Sequence, residues 1–337
     1  MRLRILVAGG GGLIGGPCAR ALLAAGHDVT VMKRSGRNVP PGAATLVADR
    51  SDPASLAATL AGRRFDAVLD LLAFDAGDVE RLFAAPGFEI GHYLFISSGQ
   101  VYLVAADPRP PFVEADAEKP AMPEPDPADE RRHGNWSYGM GKRAAERAAR
   151  EVQARRGVRT TALRLPVVQG ANDSSRRLWA YVQRLRDGGP LLLPEGGAHP
   201  VRYVWAEDVG RAVVALVDGA NAPAPAYNLA QPDEPQLIEL VVSMAALLGV
   251  PARTVPCTWE QLAEAGIDER VSPYSGPWSS RPDASLAARD FGFRGTPSHD
   301  WLPIVVQAHL EAADNPPHPC YANRPAELAL AAKLAGI

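Results

Sequence analysis

The sequence predicts an α/β protein: a doubly wound parallel sheet with helices on both faces, followed by a smaller α+β part. Three observations predict it. Short continuous apolar runs alternate with helical patterns through the first half of the chain. The first run stops at four consecutive glycines that open the first helix. After about residue 170 the strands shorten and Pro- and Gly-marked turns multiply. Strands apolar on both faces and joined by helices form a buried parallel sheet, and right-handed crossovers wind it doubly.

The elements follow in order. Leu3 to Ala8 is the first strand, and Leu13 to Ala25 carries apolar residues at helical spacing. Asp28 to Met32 and Ala44 to Ala48 are short β-rich runs. Pro53 to Ala61 reads as a helix with Asp52 as N-cap and Pro at its first position. Asp66 to Leu72 and Tyr93 to Ser97 are further buried strands. Residues 105–130, rich in Pro, Asp and Glu and without periodicity, are expected to be a functional loop or lid. Helix resumes near Ser137 and runs to about Arg156, followed by a strand from Val158 to Leu165. Beyond lie strands at Val201 to Trp205 and Ala226 to Leu229, and helices at Glu207 to Val217, Gln236 to Leu248 and Ala326 to Leu334.

The bulk numbers bound the function classes. At 337 residues the chain exceeds the roughly 250–300 residues at which one core stops growing, so two parts are expected. A net charge of −3 argues against a dedicated nucleic-acid surface. Cys18, Cys257 and Cys320 are too widely spaced for a zinc pattern or a disulfide framework, so no metal and a reduced, cytoplasmic setting are expected. The first strand starts at about Leu3, leaving no signal peptide, and no apolar run reaches the ~18 residues of a membrane span.

The glycine run, from Gly9 through Gly10, Gly11 and Gly12 to Leu13, Ile14 and Gly15, joins the first strand to the first helix. It reads as GxxGxxG on Gly9, Gly12 and Gly15, or as GxGxxG on Gly10, Gly12 and Gly15. Either way one glycine permits a tight turn, one lets a pyrophosphate approach, and one lets helix and strand pack closely. The helix N-terminus then offers free amides and partial positive charge to the phosphates. A nicotinamide dinucleotide is the implied cofactor.

At the end of the second strand, where NAD-specific folds place an acid on the ribose 2′-hydroxyl, this chain has Lys33 and Arg34. Basic groups attract a 2′-phosphate, and the chain holds only four lysines. NADP(H) is therefore expected over NAD(H); a solvated basic turn is the competing reading. Asp49, closing the third strand, is placed either to accept from the adenine amino group or to serve as a helix N-terminal carboxylate.

Tyr138 and Lys142 form a YxxxK pair on a helix, where i and i+4 share a face. A nearby ammonium favours a phenolate, which suits the tyrosine to acid/base work. About forty residues upstream a strand ends in Ser97 and Ser98, whose hydroxyl is placed to bond a substrate oxygen beside the tyrosine. A glycine loop, a strand-end serine and YxxxK in that order are far more specific than any one part.

With these pieces in place the chain resembles the extended short-chain dehydrogenase/reductases of the NAD(P)-dependent epimerase/dehydratase type. The matching segments are AGGGGLIG (8–15), VLDLLA (68–73), FISSGQVY (95–102), YGMGK (138–142), LRLPVVQG (163–170) and VRYVWAEDV (201–209). The resemblance implies a Rossmann-type domain over 1–170 and a mainly substrate-binding domain over 171–337, with residues around 201–230 returning to the first. It implies Ser98 as substrate-binding hydroxyl, Tyr138 as acid/base, Lys142 as its partner, and Asp49 as the adenine contact. It implies Leu71, Leu72 and Ala73 as the segment beneath the cofactor, Pro166 to Val168 near the carboxamide, and a homodimer through the Tyr-bearing helix. Arg202 stands near a phosphate-binding position of some relatives; a surface salt bridge is the alternative.

The departures are informative. Where sugar 4,6-dehydratases of the family carry an Asp-Glu pair, this chain has Gly99 and Gln100, neither an acid or base. That leaves Gln100 as a possible substrate contact and argues against dehydration. Val replaces the family's common Asn after residues 163–165, and Asp70 stands where many relatives have His, with a loop backbone as its expected partner. The expected activity is hydride transfer at a carbinol or ketone carbon of a sugar, nucleotide sugar or other polyhydroxylated small molecule. Two rivals remain: epimerisation with retained cofactor, and a regulatory RNA-binding role like that of the chloroplast stem-loop binding proteins, which the net charge disfavours.

Overall fold

The computed structural model describes residues 1–219, 222–276, 279–312 and 316–336. In chain order the elements begin β1 (Arg4–Ala8), α1 (Gly15–Ala24), β2 (Asp28–Lys33), β3 (Ala44–Val47), α2 (Pro53–Leu60), β4 (Arg64–Asp70), α3 (Ala76–Phe83) and β5 (Glu89–Ser98). They continue α4 (Gln100–Leu103), α5 (Glu130–Arg156), β6 (Arg159–Leu165), β7 (Val167–Gln169), α6 (Arg177–Arg186), β8 (Leu191–Pro194), β9 (Tyr203–Trp205), α7 (Ala206–Val217) and β10 (Ala226–Asn228). They end α8 (Leu237–Leu248), β11 (Thr254–Cys257), α9 (Trp259–Glu264), α10 (Ser285–Phe291), α11 (Ser298–Glu311) and α12 (Arg324–Ala335).

The chain divides into two units. The first comprises 1–168, 203–230 and 280–295; the second comprises 169–202, 231–279 and 296–337. The return of 280–295 to the first unit leaves no mark in the sequence, because it brings a helix and no strand.

In the first unit seven parallel strands lie in the order β10-β6-β5-β4-β1-β2-β3, a Rossmann-like sheet. Strand side chains alternate between two cores. Ile5 and Val7 of β1, Leu69 of β4 and Ile96 of β5 pack with α1 and α7 on one face. Leu6, Val68 and Phe95 pack with α2, α3 and α5 on the other. Gly210 lets α7 close on α1, since a Cβ there would stand 3.1 Å from the Cβ of Ala21. The order reverses between β1 and β4, and crevices for ligands open at the C-terminal strand ends beside such a reversal.

Two expectations need correction. The tyrosine-bearing helix begins at Glu130, not near Ser137, and Asp129 caps it by accepting from the Arg132 amide at 3.1 Å. Gly134 dilutes the helical signal of the missed stretch. Residues 105–130 are not a free lid. The Ala106 amide donates to Pro120 O at 3.0 Å and the Met122 amide to Val104 O at 2.8 Å. Arg143 and Arg164 donate to the carbonyls of Lys119 and Glu114, at 2.8 and 2.6 Å.

The second unit is α-rich, with β8 and β11 as a parallel pair. At its centre Arg184 grips Glu327 through two bonds of 2.6 and 2.8 Å, both side chains buried. The tryptophans mostly pack: Trp205 is buried in the first unit, and Trp301, wholly buried in the second, donates to Gln231 at 3.1 Å. Trp259 lies against a small apolar cluster, and Trp278 falls outside the described residues. No described helix is long and apolar enough to cross a membrane.

Candidate active site

The glycine run assigns its own roles. Gly9 takes φ +98°, a left-handed conformation, and its amide donates to Met32 O at 3.0 Å. Gly15 is packed: a Cβ there would collide with the carbonyl oxygen of Gly9 and approach Gly10 Cα to 2.8 Å. Gly12 has nothing within 4 Å of where its Cβ would stand. Turn, approach and packing therefore fall to Gly9, Gly12 and Gly15, the GxxGxxG reading. Ile14 precedes α1 and offers no side-chain cap, so the first-turn amides have no side-chain acceptor.

Gly9, Gly11 and Gly12 open onto a cavity of about 550 Å³. Gly9, Gly11 and Gly12 line it with Lys33, Arg34, Asp49 and Leu72 from the sequence-derived set, joined by Met32, Ala48, Arg50, Ser51, Phe74 and Asp78. Leu13, Gly15, Ala73, Pro166 and Val168 are not in its lining; Ile14, Leu71 and Val168 pack instead against the adjoining core. Open space at Gly12 and a basic rim fit a dinucleotide diphosphate, although in the first turn of α1 the Gly16 amide already donates to Gly12 O at 3.0 Å and Pro17 has no N–H.

Lys33 bends back to donate to Arg37 O at 2.6 Å, while Arg34 is exposed. Asp49 accepts from the amide and hydroxyl of Ser51 at 2.9 and 2.6 Å. Those two bonds, with Arg34 nearby, hold its carboxyl below the usual carboxylate range. The cap of α2 is Asp52, not Asp49.

At the end of β5, Ser98 Oγ accepts from the Gln100 amide at 3.2 Å. Burial raises the Tyr138 phenol above its ordinary value, and the nearby Ser98 hydroxyl, which favours ionisation, does not offset it. Lys142, 2% exposed, donates to Ala73 O at 2.7 Å and Ile96 O at 2.9 Å. Its ammonium lies 4.8, 4.9 and 5.7 Å from the ring centres of Phe74, Phe95 and Tyr138. Burial pulls the lysine down from 10.5 to about 8, against the pull of Asp70, Asp78 and Glu146. The expected lowering of the tyrosine is thus not what the protein alone shows: the ammonium's bonds are directed to two carbonyls.

The glycines of YGMGK explain the close fit. A Cβ at Gly139 would reach Val104 at 2.5 Å and Gln100 O at 2.8 Å, and one at Gly141 would reach Phe74 O at 2.6 Å. Gly99 is filled from outside, since a Cβ there would collide with Ser280 Oγ. The place of the dehydratase aspartate is sterically taken. Arg202, in the second unit, pairs with Glu234 at 3.0 Å and donates to Gln231 O at 3.0 Å, the salt-bridge alternative. Asp70 accepts from the Leu72 amide at 2.9 Å, as a loop-bonding acid should, but also from Arg50 and Tyr93. Sequence reasoning missed Arg50, Phe74 and Asp78; only the adjacency of Arg50 to Asp49 hinted at one of them.

Comparison with known proteins agrees with this architecture. The profile of the NAD dependent epimerase/dehydratase family matches residues 5–230. The 2'-dehydrokanamycin reductase of Streptomyces kanamyceticus is 28% identical over 308 residues, covering 88% of this chain and 82% of that protein. The 3-diazoavenalumate denitrifying reductase of a Streptomyces species is 27% identical over 275 residues, covering 75% and 84%. Among solved structures, the UDP-glucose 4-epimerase of Thermotoga maritima, determined with UDP-glucose, superposes with a TM-score of 0.70 at 16% identity, over 92% of this chain and all of that one. The chain belongs to the NAD dependent epimerase/dehydratase family, and is an oxidoreductase-type enzyme within it.

Proposed function

We propose that this protein is an NADP(H)-preferring oxidoreductase that reduces a ketone on a sugar, nucleotide sugar or other polyhydroxylated small molecule. The observation that carries the reading is the buried Lys142 ammonium 5.7 Å from the ring of Tyr138, whose phenol burial keeps protonated beside Ser98 at the end of β5. In this reading Gly9, Gly11, Gly12 and the first turn of α1 hold the diphosphate, Asp49 the adenine, and Lys33 and Arg34 the 2′-phosphate. Leu71 to Ala73 and Pro166 to Val168 support the nicotinamide half. When bound, the dinucleotide supplies or accepts a hydride at the carbon that bears the reacting oxygen.

The chain's residues manage that oxygen. Ser98 Oγ orients it by a hydrogen bond, and Tyr138 Oη gives it a proton as negative charge develops. Lys142 is placed to stabilise the phenolate left behind and to hold a ribose hydroxyl. A phenol kept protonated by burial is ready as an acid, which favours the reductive direction. The reductase relatives support this direction, and Gly99 with Gln100 supports exclusion of the dehydratase route.

The test is NADPH oxidation with a panel of ketones, 2'-dehydrokanamycin and UDP-4-ketosugars among them, alongside titrations with NADPH and NADH. Tyr138→Phe is expected to lower kcat on the order of 10²–10⁴-fold. Full turnover in that variant would defeat the mechanism, and tighter binding of NADH would defeat the cofactor preference. Product formed from a carbinol without net NADPH consumption would favour epimerisation with retained cofactor.

A further inference from the structure

We propose that Arg50, in the wall of the cavity, is a positioning residue that holds Lys142 in place by pinning the segment 71–74 through the Asp70 carboxylate and the backbone carbonyl of Asp78. This inference rests on the Tyr138–Lys142 reading above.

The geometry runs as a chain of contacts within the first unit. Arg50 donates to Asp70 Oδ1 at 2.8 Å, lies 2.7 Å from Asp70 Oδ2, and donates to Asp78 O at 2.9 Å. Each acid then takes one amide of the segment. Asp70 accepts from Leu72 at 2.9 Å, and Asp78 accepts from Phe74 at 2.7 Å. Leu71 donates to Ala8 O of β1 at 3.1 Å. Between the two pinned amides stands the Ala73 carbonyl, which receives the Lys142 ammonium at 2.7 Å. The next side chain, Phe74, supplies the ring 4.8 Å from that ammonium, and its centre is 6.3 Å from that of Tyr138.

Burial makes the arrangement stiff. Asp70 is fully buried and Arg50 is 7% exposed. A planar guanidinium can bridge two partners in fixed directions, where an ammonium acts as a point charge. Tyr93 also donates to Asp70 Oδ2 at 2.8 Å, so both carboxylate oxygens are held from two sides. Segment 71–74 would otherwise be an ordinary strand-to-helix turn, with Leu71 and Leu72 half-buried and Phe74 exposed. Since Arg50 also lines the cavity, a simple wall for the cofactor is the rival role.

Arg50→Met alone strands a buried carboxylate, so the paired variant Arg50→Met/Asp70→Asn, which removes both charges together, is made beside it. Each is compared with wild type for NADPH affinity, and for kcat and KM on the fastest ketone of the panel above. Protein labelled with ¹⁵N at lysine Nζ supplies a readout that does not depend on turnover. Only four lysines contribute, and Lys142 is assigned by loss of its signal in Lys142→Met. Its titration reports the groups that face it, which are Asp70, Asp78, Glu146, Arg50 and Tyr138. Expected for the paired variant is a fold retained, NADPH affinity within about threefold, and kcat lower by on the order of 10- to 100-fold. The Lys142 ammonium signal shifts and exchanges faster with water. Arg50→Lys, which keeps the charge, restores part of kcat. Wild-type kcat with an unmoved Lys142 signal overturns the proposal, and so does loss of NADPH affinity with kcat unchanged at saturation. If wild type reduces no ketone, the functional reading falls, while the Lys142 signal still decides whether Arg50 positions it.

Discussion

Gly12 and Gly15 lie three residues apart, yet the same methyl group should do opposite things at each. At Gly15 a Cβ meets backbone: the Gly9 carbonyl oxygen, Gly10 Cα at 2.8 Å and Gly9 C at 3.0 Å. No rotamer relieves such a clash, so α1 must move away from β1, at the ~1–3 kcal/mol typical of overpacking. For a unit of this size that is a fall of about 2–4 °C in Tm for each kcal/mol. At Gly12 nothing lies within 4 Å and φ is outside the left-handed region. Gly12→Ala is therefore neutral in the folded state and gains about 0.4–1 kcal/mol from a stiffer unfolded chain. Its methyl enters the cavity where the diphosphate is proposed to approach, so affinity should fall by about tenfold or more, equivalent to ~1.4 kcal/mol. Thermal melting without ligand and fluorescence titration with NADPH measure the two effects separately. A Gly12→Ala protein that binds NADPH like wild type would refute the placement of the diphosphate; an undisturbed Tm in Gly15→Ala would refute the close approach of helix and strand.

The other predictions concern charge and space. Lys142, with its pKa near 8, is expected to impose an alkaline limb on kcat/KM, with activity falling as pH rises through about 8. Its contribution to stability has the opposite sign. The unfolded lysine, near 10.5, binds the proton more tightly, so the burial penalty is full below pH 8 and fades between 8 and 10.5. Removing that trend by Lys142→Met in pH-dependent melts would verify it. In the second unit, Glu327→Gln leaves Arg184 and Arg324 buried without their shared carboxylate and should cost about 3–5 kcal/mol, read by urea unfolding. Gly99→Asp should produce neither a dehydratase nor an active reductase, because the side chain must displace Ser280 from beside the catalytic strand end. A 4-keto-6-deoxy product from a nucleoside diphosphate sugar would contradict it.

What could be read from sequence was whatever a short window contains. Apolar runs ending at Ala8, Leu72 and Ser97 announce parallel strands, and the glycine run announces its cradle, because backbone conformation and periodicity are local. Tyr138 and Lys142 share a helix face for the same reason. The Arg50, Asp70 and Asp78 cluster was illegible, since it unites the segment after β3, the end of β4 and the first turn of α3. No spacing rule connects a guanidinium to a carboxylate 20 residues away and a backbone carbonyl 28 residues away. Arg202 illustrates the converse: its motif position suggested a phosphate, but Glu234, brought near by the turn after β10, supplies the negative charge. The start of α5 was misplaced because its first two turns hold Gly134, a poor helix former, and follow a Pro-rich stretch without apolar periodicity.

The direction of catalysis follows from where the proton rests. Oxidation of a carbinol needs Tyr138 as a phenolate to accept the hydroxyl proton; reduction of a ketone needs it as a phenol to donate one. Burial favours the phenol, and only the Ser98 hydroxyl opposes it. The Lys142 ammonium spends two donors on Ala73 and Ile96 and loses its own charge above about pH 8, so it cannot hold the phenolate at high pH in the free enzyme. The overall equilibrium is untouched, because a catalyst lowers both barriers equally. What changes is the fraction of enzyme in the competent protonation state: nearly all of it for reduction near neutrality, little of it for oxidation. On the reading proposed above, this protonation state favours work as a reductase. The same geometry gives segment 71–74 its importance, because an ammonium of depressed pKa stabilises the departing phenolate only if it is held at a fixed distance.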